Sequence, residues 1–136
     1  MLGRLKARDG TTALLQVLND SNNEVQGEAI ASLGEIGAVE ALPYLRDMYE
    51  RNPGRNLIRL VTAMRSLGDQ APFQQEVQRL SQVAMSSDDV RARTQAVQTL
   101  SWFAREESQD VFTRALQDPS ERVRREAERA LRGRRR

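Results

Sequence analysis

A nine-residue pattern returns four times in this chain and leaves little freedom over the fold. It reads "VQGEAIASL" (25–33), "RLVTAMRSL" (59–67), "ARTQAVQTL" (92–100) and "VRREAERAL" (123–131). Each copy has Ala at the fifth position (Ala29, Ala63, Ala96, Ala127) and Leu at the ninth (Leu33, Leu67, Leu100, Leu131). The starts are 34, 33 and 31 residues apart, a period typical of stacked helical units. An Ala and a Leu four residues apart lie on one helix face. The small Ala admits a neighbouring helix, and the Leu fills the gap beyond it.

A second apolar segment with helical spacing precedes each copy: "TTALLQVL" (11–18), "ALPYLRDMY" (41–49), "FQQEVQRLSQVAM" (73–85) and "VFTRALQ" (111–117). Turn-forming residues separate the two segments, as in "NDSNN", "RNPGRN", "SSDD" and "DPSE". Ser21 and Glu24 have the spacing of a capping box. Pro43 fits the first turn of its helix, where a missing N–H does no harm. "LGEIGA" and "LGDQA" end second helices with glycine. The predicted unit is a helix–turn–helix repeated four times. It forms one domain over 1–136, with repeats at about 11–36, 39–69, 71–104 and 108–132 and a basic tail at 133–136.

Composition agrees. Aromatics are 4% of the chain, so Leu, Val, Ile and Ala must supply the core, which favours packed helices over a β-sandwich. The chain has no Cys and no His. That removes disulfides, thiolate and Ser–His chemistry, and the commonest metal ligand. Asp88-Asp89 and Glu106-Glu107 are adjacent carboxylates near helix starts, where capping and the helix dipole explain them better than acid–base catalysis. No phosphate-binding glycine motif is present. The expectation is a non-enzymatic protein with no cofactor and no metal. Without a long apolar run it is expected to be soluble and cytoplasmic, with no membrane partner.

"GAVEALPYLRDMYERN", "LNDSNNEVQGEAIASLGEIGA" and "LQDPSERVRREAERAL" resemble HEAT repeats of the phycobilisome-lyase-like subclass. The first and fourth repeats follow that pattern well. In the second, Arg59 stands where Val is expected and Met48-Tyr49-Glu50 replaces Leu–x–Asp; in the third, Ala92 stands at the Val position and no glycine follows Leu100 closely. The resemblance covers about residues 11–132. It implies an all-α fold, a right-handed α-solenoid of about four hairpins, with first helices on the convex side and second helices on the concave side. The family spans chromophore-lyase subunits, scaffolds and regulatory modules.

Charge is uneven along the chain. Through Asp110 there are 12 Lys+Arg against 15 Asp+Glu; from Val111 onward there are 9 Arg against 4 acids. Half of residues 121–136 are arginine. A solenoid's last helix needs a polar outer side. Glu128 stands where Ile30, Met64 and Val97 stand in earlier repeats, as a cap requires. Glu121–Arg125 and Glu128–Arg132 are spaced as favourable i,i+4 pairs. Arg134, Arg135 and Arg136 have no such local partner.

On a helical wheel the side away from Ala96 carries Arg91, Gln95, Gln98 and Trp102. The same register selects Glu24, Glu28, Ala31 and Glu35; Ile58, Thr62, Arg65 and Asp69; and Arg122, Glu126, Arg129 and Gly133. The candidate partner-binding residues are therefore Glu24, Glu28, Glu35, Thr62, Arg65, Arg91, Gln95, Gln98, Trp102, Arg122 and Arg129. This surface runs from acidic to basic, which suits another protein better than a phosphate backbone. The chain is expected to be a monomer or to self-associate weakly. Trp102 is the sole tryptophan. It is expected to pack against "EESQDVF", the alternative being an exposed binding anchor. Tyr44 and Tyr49 read as half-buried packing residues, and Phe73, Phe103 and Phe112 as core. The first expectation is a protein-interaction module. The alternatives are a nucleic-acid binder using the Arg-rich C-terminal repeat with Arg55, Arg59, Arg91 and Arg93, and an auxiliary subunit of a bilin lyase or similar enzyme.

Overall fold

The computed structural model describes residues 2–20, 22–51 and 54–133, with the backbone alone over 2–9. The described residues form helices α1 (Leu2–Val17), α2 (Asn23–Glu35), α3 (Leu42–Arg51), α4 (Leu57–Ser66), α5 (Ala71–Ser86), α6 (Val90–Phe103), α7 (Gln109–Ala115) and α8 (Glu121–Arg132). They contain no strand. Each repeated pattern falls on an even-numbered helix and each preceding segment on an odd-numbered one. Helix α1 reaches back to Leu2, well before the expected start of the first repeat near residue 11. No helix among the described residues is long and apolar enough to cross a membrane. The arginines at 134–136 lie outside the described residues. Two compact units divide the chain, Met1–Phe73 and Gln74–Arg136.

In the first unit α1 packs on α2, α3 on α4, and α2 lies beside α4. The repeated Ala and Leu positions are all buried: Ala29, Leu33, Ala63 and Leu67 join Ile30, Leu45, Leu60 and Met64 in one apolar cluster. Each fully buried Leu or Ile contributes about 1.5–3 kcal/mol. The close approach has its expected cause. A Cβ added at Gly34 would stand 3.0 Å from the Ala63 Cα and 3.1 Å from its Cβ, so a glycine and an alanine bring the two helices together. The sequence anomaly at Arg59 has a counterpart across the same interface. A Cβ on buried Gly27 would collide with the Arg59 guanidinium and approach Asn56 Oδ1 to 2.6 Å. Gly27 therefore leaves room for the arginine arm. Buried Asn56 donates from Nδ2 to the Asn23 carbonyl at 3.1 Å, and the Gln26 Nε2 donates to the Leu18 carbonyl at 2.7 Å. These bonds tie the start of α4 to α2, and α2 to its own turn.

The helix ends correct one expectation and bear out another. The N-cap of α2 is Asn22, whose side chain accepts from the N–H groups of Glu24 (2.9 Å) and Val25 (3.1 Å). Glu24 is thus the second helical residue; the Ser21 half of the expected Ser21–Glu24 capping box lies outside the described residues. Asn wins because its Oδ1 spans the same two orphan donors from one position later. At the other end the glycines act as expected. Gly37 (φ 71°) and Gly68 (φ 103°) adopt the left-handed conformation. Behind them Ala38 N–H reaches Leu33 O (3.1 Å) and Asp69 N–H reaches Met64 O (2.8 Å), the Schellman arrangement. Pro43 is the second residue of α3. Tyr49 is half-buried as expected, but Tyr44 is largely exposed, because its position on α3 faces away from the cluster.

In the second unit α7 packs on α8, and α6 lies beside α8. Ala96, Val97, Leu100, Phe112, Val123 and Ala127 are buried. Phe73, in the first unit, is buried as expected, while Phe103 is only half-buried. Asp89 caps α6 by accepting from Arg91 N–H at 3.0 Å, and Glu106-Glu107 open the turn into α7, as their spacing suggested. Arg93 overturns an expectation. Its guanidinium grips Asp118 through two bonds, Nε–Oδ2 at 2.9 Å and Nη2–Oδ1 at 3.1 Å, and gives a third to Ser87 O at 2.7 Å. Both residues are half-buried, with side chains 12% and 8% exposed. Arg93 is therefore not a surface cation for nucleic acid. It locks α6 to the turn between α7 and α8.

On α8, Glu121 pairs with Arg125 at 2.8 Å as predicted. Glu128 with Arg132 is not among the ion pairs of the described residues; Arg129 instead meets Glu126 at 3.4 Å. Ile30, Met64 and Val97 are each 0% exposed, and Glu128 in the same register is exposed. Position three behaves alike: Gly27, Val61 and Thr94 are buried, and Arg125 is exposed.

Candidate functional site

Most of the fourth and seventh pattern positions of the second helices, and most residues one turn before and after, are exposed. In the first unit Glu24, Glu28 and Glu35 on α2 and Thr62 and Arg65 on α4 are exposed. Arg65 is exposed yet engaged, its guanidinium carbon 4.3 Å from the centroid of the Phe73 ring. Such a cation–π contact fixes the arm. Asp69, on the same wheel face, turns instead to Arg46 of α3, whose Nε donates to it at 2.9 Å. Ala31 and Ile58 are half-buried.

In the second unit Arg91, Gln95, Gln98 and Trp102 on α6 and Arg122 and Arg129 on α8 are exposed. Helical spacing sets them along one ridge of α6, and α8 runs beside it. Gln98 Nε2 donates to Glu126 Oε1 at 3.0 Å, and Arg129 Nη1 approaches the same oxygen at 3.4 Å. This three-residue latch joins the two helices across the ridge. The expectation for Trp102 fails here. The indole is 66% exposed and does not cover the start of the following hairpin. The chain leaves α6 at Ala104 and turns through Glu106–Ser108 into α7. No hydrogen bond reaches the indole among the described residues. Large exposed aromatics of this kind are typical binding anchors.

The wheel could not find Arg105, because it lies beyond the end of α6. Its carbonyl accepts from Ser108 N–H (3.3 Å) and Gln109 Nε2 (2.8 Å), which fixes the backbone. Its Nη1 would lie 3.5 Å from a Cβ at Gly133, the α8 position in register with Trp102. Its Nε is buried with no hydrogen-bond partner. Burial alone would raise the pKa of the Asp118 carboxyl. Hydrogen bonds from Arg93 and the Ser120 N–H, with the charges of Arg93 and Arg124, outweigh it and hold that pKa below the usual range. Asp118 is thus a structural anion. Among the described residues no group of three or more acidic side chains comes together to hold a metal.

Paired helices, a buried Ala–Leu pattern and side-by-side second helices are the features of one repeat class, and a family model described as HEAT repeats matches residues 1–64 and 56–132. The chain belongs to the HEAT-repeat family. No curated protein and no solved structure matches it. HEAT repeats stack hairpins so that each buries its apolar face on a neighbour. In this HEAT chain that role falls to the Ala and Leu positions together with the third and sixth positions of α2, α4 and α6, which leaves the fourth position of those helices open to solvent.

Proposed function

We propose that this HEAT chain is a non-enzymatic protein-interaction module, an adaptor or scaffold that holds a protein partner along the exposed ridge of its second helices. HEAT repeats commonly serve as such scaffolds, and the reading takes the four hairpins as a right-handed solenoid with that ridge on its concave side. The observation that carries it is Trp102, 66% exposed on an otherwise polar ridge. An apolar surface of that size held in water favours burial against a partner. The nucleic-acid alternative is weakened by Arg93, which is tied to Asp118. The bilin-lyase subunit, like membership of the phycobilisome-lyase-like subclass, rests on resemblance alone.

A photo-reactive phenylalanine placed at Gln95 or Gln98 in the full chain, irradiated in extract of its native cells, tests the reading. Exposed Gln82 on α5 and Thr113 on α7 serve as comparison sites. Protein adducts from 95 and 98, absent from 82 and 113 and lost with Trp102→Ala, are the expected outcome. Adducts only from the first-helix sites, or nucleic-acid adducts from the ridge, would overturn it.

A further inference from the structure

The end of the α6–α8 ridge combines an exposed indole with a guanidinium that no carboxylate of the described residues pairs. Trp102 and Gly133 occupy matching positions on α6 and α8, and the Arg105 guanidinium lies against Gly133. A Cβ at Gly133 would stand 3.5 Å from the Arg105 Nη1, in ordinary contact. An arginine side chain offers five N–H donors and no acceptor. No carboxylate pairs with Arg105 among the described residues, and its Nε is buried without a partner. Leaving a charged donor in that state is unfavourable, and a carboxylate is the group that relieves it best, by a paired two-bond contact. The nearest ridge carboxylate, Glu126, is already held by Gln98 and Arg129. Farther along the ridge Arg91 and Arg122 are exposed and take part in no ion pair among the described residues.

We propose that the α6–α8 ridge takes an acidic protein segment, with an apolar side chain on the Trp102 indole and a carboxylate on Arg105. This rests on the partner-binding reading above and adds the chemistry of the partner. A phosphate backbone fits less well: it would run along a helix that also displays Glu121, Glu126 and Glu128. A peptide segment places its few charges one at a time and avoids them. The indole supplies the apolar contact that a single carboxylate lacks, and the two together set the spacing a partner must match.

The test is selection of short random peptides, displayed on phage, against the full chain. The selected peptides are then titrated by anisotropy and by the emission of Trp102, the sole tryptophan. The expected winners are rich in Asp and Glu around one large apolar residue, and their binding shifts the indole emission. Arg105→Ala should weaken them about tenfold and Arg105→Lys less, because lysine keeps the charge but not the two-bond fork. Thr113→Ala on α7 should leave affinity unchanged. If Arg105→Ala fails to fold, replacing the peptide's Glu by Gln tests the same pairing from the other side, with the same tenfold loss expected. Neutral or basic winners, no winners, unchanged binding by Arg105→Ala, or equal competition by an oligonucleotide would each overturn the proposal. So would a dimer of this chain that Arg105→Ala dissolves, since the ridge would then hold a second copy. Ridge crosslinks from position 98 do not depend on peptide charge. Crosslinks without acidic selection sink this proposal and spare the broader reading; acidic selection without crosslinks does the reverse.

Discussion

Asp118 closes the turn between α7 and α8 and also receives the Arg93 guanidinium from α6, so two structural levels meet in one carboxylate. Removing Arg93 would leave that buried charge with only the Ser120 N–H and the nearby charge of Arg124 to steady it. We expect Arg93→Ala to cost about 3 kcal/mol, at the lower end of the range for breaking a buried pair, read from urea unfolding of the full chain. The same carboxylate gives a pH signature. Its folded pKa lies below its ordinary value of 3.8. In the window between the folded and the ordinary value the unfolded chain binds more protons, so stability falls as pH falls. The contribution is complete above the ordinary value and gone below the folded one. Asp118→Asn should flatten the acid limb of a stability–pH curve; a limb as steep as that of the parent chain would contradict this. At Gly34 two effects oppose each other. Alanine would gain up to about 1 kcal/mol of helix propensity, yet its Cβ meets α4 backbone, where overpacking costs about 1–3 kcal/mol. A net loss near 1 kcal/mol in a thermal melt is expected for Gly34→Ala, since a backbone atom cannot swing aside. The sequence announced Gly34 only as part of a helix end. Its contact with Ala63 needed the second helix in place.

The helices themselves were legible. All eight cover the segments that apolar spacing marked, α1 reaching further back to Leu2, because a 3.6-residue period is a local property of the chain. Their ends were less so. The sequence pointed to Ser21 with Glu24, whereas the cap of α2 is Asn22, in a turn where the Asp20 side chain accepts from Asn22 N–H at 2.7 Å. Asn22→Ala should destabilise the chain by about 1 kcal/mol, with early exchange of the amides of Glu24 and Val25. Gly68→Ala should cost about 1–2 kcal/mol, because φ of 103° is strained for any residue with a Cβ. Gly37→Ala provides an independent repeat of that experiment at the end of α2. Helix α6 has no such glycine and stops at Ala104 instead. The exposure of Trp102 was not legible for a general reason: a wheel fixes direction within the helix, but what covers a side chain depends on where the next segment goes.

At the scale of the molecule, each unit is held by stacked second helices, and α8 shows what such a face looks like when it stays in water. Positions three and six are buried in α2, α4 and α6 and charged in α8, as Arg125 and Glu128. Arg125→Leu with Glu128→Leu should restore an apolar stacking face. Sedimentation should then show concentration-dependent self-association; a chain that stayed monomeric would mean that this face is not equivalent to those of α2, α4 and α6. The sequence by itself determined the helical class, the hairpin order, the buried Ala and Leu positions and the open register of the second helices, because each follows from periodicity within a few turns. Only the tertiary structure decided that Arg93 grips Asp118, that Asp69 turns to Arg46, that Trp102 stands in solvent and that no carboxylate of the described residues pairs with Arg105. Those outcomes depend on groups 23 or more residues apart, or on irregular segments, where the chain carries no period and only packing fixes which side chains meet.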